Sequence, residues 1–199
     1  MYKGIDISYW QGAKIDWAKV KASGITFAYI KATEGKSRKE PLAMSQANGA
    51  KLNNIKVGYY HFAHTENNAI AEAKFFAEVL KGLPPSDLIP VLDIEANKAG
   101  LKPDAIELWI NNFIVTLQAA GINKIMLYSY GPFFNACLTA THPFGKYPLW
   151  LAQYRNDAKQ PTLPRGWNKY SIWQYTQTGK VNGIDGNVDM NNCEILPTI

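Results

Sequence analysis

Eight short apolar runs punctuate the chain, and between the first six of them the sequence turns helical. The runs occupy residues 3–8, 26–31, 56–62, 88–95, 125–130, 148–153, 171–176 and, with a weaker pattern, 187–190. They are rich in β-branched and aromatic residues and bounded by Gly, Pro or Asn, which marks buried strands. Asp16 can cap a short helix that stops at Gly24, and Pro41 opens another running to Leu52. Thr65 or Asn67 can start a third, with Ile70, Ala73, Ala77 and Leu80 on one face, ended by Gly82. The clearest helix covers 103–120, with Pro103 in its first turn and Ile106, Ile110, Phe113 and Leu117 as its stripe. Residues 131–141 allow a fifth.

Helices then stop. Pro161, Pro164 and Gly166 interrupt one late connection, and Gly179, Gly183 and Gly186 the other. Strand–helix alternation implies a parallel sheet with right-handed crossovers. The fold class expected is α/β: an irregular (β/α) barrel, modified TIM-like, with about eight strands and the last helices missing. A doubly wound open sheet is the alternative. Length, 199 residues, suits a single domain spanning 1–199.

Several function classes drop out on composition. At 47% hydrophobic and 19% charged, the chain is not disordered, and no apolar run reaches the ~18 residues of a membrane helix. Residues 1–60 carry 10 Lys and Arg against 4 acids, a basic flank that suits either a polyanionic envelope or plain solvation. No nucleic-acid signature accompanies it. Cys137 and Cys193 match no metal or redox spacing, and His61, His64 and His142 make no metal set, so neither metal nor cofactor is expected. Met1–Asp6 does not read as a secretory signal.

In a parallel barrel, functional residues collect at the carboxyl ends of strands. The polar residues there include Asp6, Ser8, Gln11, Lys31, Glu34, Tyr60, His61, Asp93, Glu95, Tyr128, Tyr130, Gln153, Tyr154, Gln174, Asp189 and Asn191. The sharpest feature is Val91-Leu92-Asp93-Ile94-Glu95, whose two acids share one face of a strand. Such a pair can split its proton affinities, as glycoside hydrolysis requires. A solvated strand end, or an ion pair with Lys98 or Lys31, fits the same spacing. Trp10, Tyr60, Tyr128, Tyr130, Trp150, Tyr154, Trp173 and Tyr175 lie beside strand ends. Flat faces with polar tips suit pyranose rings.

Taken in order, several motifs resemble one family. Gly4-Ile5-Asp6-Ile7-Ser8-Tyr9-Trp10-Gln11, Phe27-Ala28-Tyr29-Ile30-Lys31-Ala32-Thr33-Glu34-Gly35 and Gly58-Tyr59-Tyr60-His61-Phe62 resemble the first three strands of glycoside hydrolase family 25 lysozymes, the Chalaropsis-type muramidases. Leu92-Asp93-Ile94-Glu95, Leu149-Trp150-Leu151-Ala152-Gln153-Tyr154, Trp173-Gln174-Tyr175 and Val188-Asp189-Met190-Asn191 continue the match across nearly the whole chain. The resemblance implies an irregular β/α barrel and cleavage of the β-1,4 bond between N-acetylmuramic acid and N-acetylglucosamine in peptidoglycan. It implies Glu95 as general acid, Asp93 as second carboxylate, and Asp6 and Asp189 as flanking acids. Tyr60, Tyr128, Trp150, Tyr154 and Trp173 fall at aromatic subsite positions.

Asn192-Cys193 departs from the apolar residues usual there, so Asp185 stays open as another candidate for the last acid. The expectation is a monomeric, endolysin-like enzyme acting on peptidoglycan glycan strands, without nucleic acid, stable membrane insertion or a separate wall-binding domain. It would be made in the cytosol and reach the bacterial wall by holin-type or other non-Sec release. A non-catalytic carbohydrate-binding barrel and a chitinase-like hydrolase are the alternatives.

Overall fold

The computed structural model describes residues 1–155 and 160–199. Among them are nine strands: β1 (Tyr2–Ile7), β2 (Ile25–Glu34), β3 (Arg38–Lys39), β4 (Lys56–Phe62), β5 (Val91–Asp93), β6 (Met126–Tyr130), β7 (Leu149–Ala152), β8 (Ile172–Gly179) and β9 (Val188–Cys193). Seven of the barrel strands, β1, β2 and β4–β8, run parallel in sequence order; β9 then lies between β8 and β1 and closes the ring. β3 is a two-residue flap, antiparallel to β2 and outside the ring. Because β1 is paired on both edges, the open doubly wound sheet does not form.

The expectation of an all-parallel sheet fails at its last member. β9 is antiparallel to both β8 and β1. The reason is chain length: only residues 180–187 separate β8 from β9, and a parallel return needs a crossover of a dozen or more. The strand also extends to Cys193, beyond the expected end at 190. Conversely, β5 is shorter than the run 88–95. Pro90 has no N–H to pair, and Ile89 instead donates its N–H to Pro197 O at 2.8 Å, tying the carboxyl-terminal segment under the barrel.

Five helices sit where the sequence places them: α1 (Trp17–Ala22), α2 (Ala43–Leu52), α3 (Ala69–Lys81), α4 (Pro103–Ala119) and α5 (Gly131–Cys137). Asp16 accepts the Lys19 N–H at 3.1 Å to cap α1, and Asn68 accepts the Ala71 N–H at 3.1 Å to cap α3. The buried face of α3 is Ala69, Ala73, Phe76 and Ala77, so Ile70 is turned outward. After α5 the described residues hold only one further helical element, a 3-10 turn, Pro143–Lys146. Trp167 covers the barrel there, its ring 4.8 Å from Phe134 and its N–H donated to Tyr147 O.

Period-2 alternation splits the apolar residues into two layers. Ile5, Ile7, Ala28, Ile30, Val57, Leu92, Leu127 and Leu151 face the helices. Phe27, Tyr29, Val91, Met126, Tyr128, Trp150, Ile172 and Cys193 fill the barrel. Large rings fit because glycines face them. A Cβ on Gly4 would stand 2.3 Å from the Phe27 ring, and one on Gly58 2.3 Å from the Tyr29 ring. Tyr29 cannot withdraw, since its hydroxyl donates to Ile89 O at 2.9 Å and its ring lies 4.8 Å from Trp150.

Overpacking of this kind costs ~1–3 kcal/mol. Gly58→Ala should therefore lower the melting temperature, at ~2–4 °C per kcal/mol for a chain of this length. A thermal melt unchanged from wild type would show that the barrel interior can yield.

Candidate functional site

The carboxyl ends of the strands surround a cleft of about 190 Å³ lined by Asp6, Asp93, Glu95 and Asp189 together with Tyr60, Tyr128 and Trp150. Each acid is placed by a simple local rule. Asp6 ends the inward face of β1, and the antiparallel register sets Asp189 directly opposite it. Asp93 closes β5 between Phe62 and Tyr128 on the neighbouring strands. Glu95 lies two residues on, its backbone held by hydrogen bonds to β6: Ile94 N–H donates to Tyr128 O, Ser129 Oγ to Ile94 O and Tyr130 Oη to Glu95 O.

Trp150 forms the floor. Its ring centroid is 4.8 Å from those of both Tyr29 and Tyr128, and 6.5 Å edge-on from Tyr60. Its indole N–H donates to Asn191 Oδ1 at 2.7 Å. Asn191 and Gln174 in turn donate their amide N–H groups to one oxygen of Asp6, Oδ2, at 2.7 and 2.9 Å. At the mouth, Ser8 and Gln11 form a reciprocal capping box around the turn Tyr9–Gln11. That turn presents Trp10, 77% exposed, at the edge of the cleft. Tyr9 supports it at 4.6 Å, with Arg38 of the β3 flap over the Tyr9 ring.

Burial dominates the electrostatics. It holds Asp6 well above the usual carboxylate range; Asp189 reinforces the rise, while Asn191 and Gln174 oppose it. Asp93 is likewise raised, by burial and then by Glu95. Burial also raises Glu95, opposed by its hydrogen bond with Asp93, and raises Asp189, opposed by Asp6. The four acids thus form two pairs, each binding a proton more tightly than free carboxylates do. Asp93 Oδ1 is buried with no protein hydrogen-bond partner. Lys31 lines the cleft, favours the ionised forms of Asp93 and Glu95, and is itself ion-paired with Glu34.

The remaining residues singled out in the sequence sort by face. Tyr154 stands at the rim, 48% exposed, with its hydroxyl donating to Gln174 Oε1 at 2.8 Å. Trp173 lies on the other face of its strand. Gln174 points inward, so Trp173 and Tyr175 alternate away; their rings lie 6.0 Å apart, and Trp173 is outside the cleft lining. Asp185 is exposed and also outside it. His61 faces the helices, between Thr33 Oγ1 at 2.7 Å and Glu72 Oε2 at 2.8 Å. Among the described residues no cluster of His, Cys, Asp and Glu is arranged to hold a metal ion.

The sequence places Gln174, Asn191, Lys31, Gln11 and Trp10 at strand ends and Phe62 in the third strand, without giving any of them an individual role in the site. The available signal was their polarity or aromaticity at strand ends. That signal does not separate a residue that clamps a carboxylate from one that is merely solvated.

Comparison with known proteins is consistent over the whole barrel. The sequence model of "Glycosyl hydrolases family 25" matches residues 5–184. Lysozyme M1 of Streptomyces globisporus is 36% identical over 198 residues, covering 95% of this chain and 66% of its own length. The N,O-diacetylmuramidase of Chalaropsis sp is 32% identical, covering 94% of this chain and 95% of its own. The chain spans only 55% of another curated relative, so some relatives carry substantial additional sequence. Among solved structures, the bacterial lysozyme of Streptomyces coelicolor superposes with a TM-score of 0.87 at 33% identity, covering 98% of this chain and 93% of that one.

A carboxyl with a raised folded-state pKa stabilises the fold fully below its unfolded value, ~4 for Asp, and loses that contribution as pH rises through the folded value. Asp93→Asn removes one such group. It should raise the melting temperature at pH 7 and make its decline between pH 4 and 8 shallower, each ~1 kcal/mol relieved adding ~2–4 °C. Identical melting curves for the two proteins across that range would count against a buried charge at this position.

Proposed function

Because the chain belongs to family 25 of the glycosyl hydrolases, we propose that it cleaves bacterial peptidoglycan at the β-1,4 bond between N-acetylmuramic acid and N-acetylglucosamine. The observation that carries this reading is the convergence of four carboxyls on one ring-lined cleft. Cleaving a glycosidic bond requires a proton for the leaving oxygen and stabilisation of a sugar cation, and a pair of acids supplies both. Flat rings at Tyr60, Tyr128, Trp150 and Tyr154 offer faces to the sugars.

In this reading Glu95 is the general acid and Asp93 orients the substrate's 2-acetamido group. The free Asp93 Oδ1 accepts the acetamido N–H. That bond stabilises the Asp93 anion and shifts the pair's proton onto Glu95. As the glycosidic C–O bond breaks, its oxygen takes the Glu95 proton and the acetamido carbonyl oxygen bonds the anomeric carbon. Water then opens this cyclic intermediate, giving a proton back to Glu95 and leaving the anomeric configuration retained. Asp6 and Asp189 keep negative potential beside the developing cation.

The unit doing this is one domain, with the acids and rings of the cleft on, or within a few residues of, strands of a single sheet. A monomer suffices. Its place of action is the bacterial wall.

Mass spectrometry of digested peptidoglycan tests the reading. New reducing ends should be N-acetylmuramic acid; N-acetylglucosamine ends would mean a different bond, and binding without new ends a non-catalytic module. Faster cleavage of chitin oligomers than of peptidoglycan would place the chain with chitinase-like enzymes. Glu95→Gln keeps the side chain's shape but removes its acid, and should cost ~10²–10⁴-fold in kcat with a melting temperature at pH 7 no lower than that of wild type. Activity within a fewfold of wild type would reject Glu95 as the acid.

A further inference from the structure

The cleft contains a hydrogen-bond relay that the reaction scheme leaves unused. Gln174, on β8, is buried and hydrogen-bonded through both the nitrogen and the oxygen of its amide. Its amide nitrogen donates to Asp6 Oδ2 at 2.9 Å, and its oxygen Oε1 accepts from Tyr128 Oη at 3.0 Å and Tyr154 Oη at 2.8 Å. Asn191 repeats the pattern on β9, donating to the same Asp6 oxygen and accepting from Trp150.

The donor inventory fixes both amides. The Trp150 indole can only donate, so Asn191 turns its oxygen to Trp150 and its NH₂ to Asp6 Oδ2; toward the ionised Asp6, Gln174 likewise presents its NH₂ and turns its oxygen outward. The outward oxygen of Gln174 then takes the single hydroxyl hydrogen of each tyrosine. Both phenolic oxygens are left with only lone pairs to offer a ligand.

We propose that Gln174 is a positioning and specificity-determining residue: it occupies Oδ2 of Asp6, leaving Oδ1 to Asp189, and makes Tyr128 and Tyr154 hydrogen-bond acceptors toward the cleft. With two N–H donors on Oδ2, a proton bound by Asp6 resides on Oδ1. At the rim, Tyr154 recognises a substrate donor, a sugar hydroxyl or acetamido N–H, and does not act as a donor to carbonyl or ring oxygens. This rests on the muramidase reading for the identity of the substrate, but the carboxylate clamp itself does not.

The charged and titratable groups around Asp6 come from each packed element. Asp189 faces it from β9, Tyr60 from β4, Asp93 from β5 and Tyr128 from β6; Tyr154 and Glu95 follow β7 and β5. Lys31 from β2 is the cation in the cleft lining. None of these replaces an N–H on Oδ2. Loss of the Gln174 donor therefore raises the proton affinity of Asp6.

Two variants separate positioning from plain structural support. Gln174→Glu keeps the shape and still accepts both phenolic hydrogens, but sets an oxygen against Asp6. Its kcat at neutral pH should fall about tenfold or more, as for a lost hydrogen bond to a charged group, with KM within about twofold. Activity should recover on acidification, when a proton bridges the introduced carboxyl and Asp6. Gln174→Met tests the clamp without turnover: its melting temperature should keep falling to higher pH than that of wild type. Tyr154→Phe, which retains the Gln174 donor, should leave that pH dependence in place. A pH-independent loss of kcat in Gln174→Glu, or parallel melting–pH curves for Gln174→Met and wild type, would overturn the proposal. Shifted curves together with no peptidoglycan cleavage by wild type would leave the clamp standing and sink the muramidase reading.

Discussion

The structure depends on the double pairing of β1. One edge bonds in parallel to β2 and the other in antiparallel to β9, and that closes the barrel. The same register sets Asp6 opposite Asp189 and Gly4 opposite Asn191. A slip of one residue would send every inward side chain of β1 to the helix side. Closure and site assembly are therefore one event. The short return from β8 dictates the direction of β9, and that direction decides which of its residues meet β1.

Four buried acids are a standing cost to such a fold, because burial disfavours their charged forms. The structure offsets part of it locally. Two amide donors converge on one oxygen of Asp6, and Lys31 sits in the lining near Asp93 and Glu95. It does not offset all of it, since Asp93 Oδ1 is left without a partner. Glu40 Oε1 and Oε2 and Gln46 Oε1 are also buried without a partner, but of these four acceptors only Asp93 Oδ1 belongs to a residue lining the cleft, where a ligand's donor can reach it. Stability is lower so that the cleft stays ready.

Beneath the acids, packing supplies the rigidity that places them. Phe27, Tyr29 and Trp150 fill a narrow barrel only because Gly4 and Gly58 present no side chain. Trp150 links the two layers: its ring rests on Tyr29 below and contacts Tyr128 beside the acids, while its N–H holds Asn191. The acids are thus fixed through contacts that are themselves close-packed.

Local pattern alone determined a good deal. Strand–helix alternation, the Asp16 cap, Pro103 and the glycines after the helices place nearly every element, because periodicity and capping act within a few residues. The side-by-side placement of Asp93 and Glu95 was legible for the same reason. Tertiary structure alone decided the partner of Asp6, 183 positions away in Asp189, and the choice of Asp189 over Asp185. It decided the sense of β9, the inward turn of Gln174 with Trp173 outward, and the burial of His61 against the helices. Each of these depends on how the ring closes and which face of a strand then looks inward. That is a property of pairing between distant segments, which neighbouring residues in the chain do not encode.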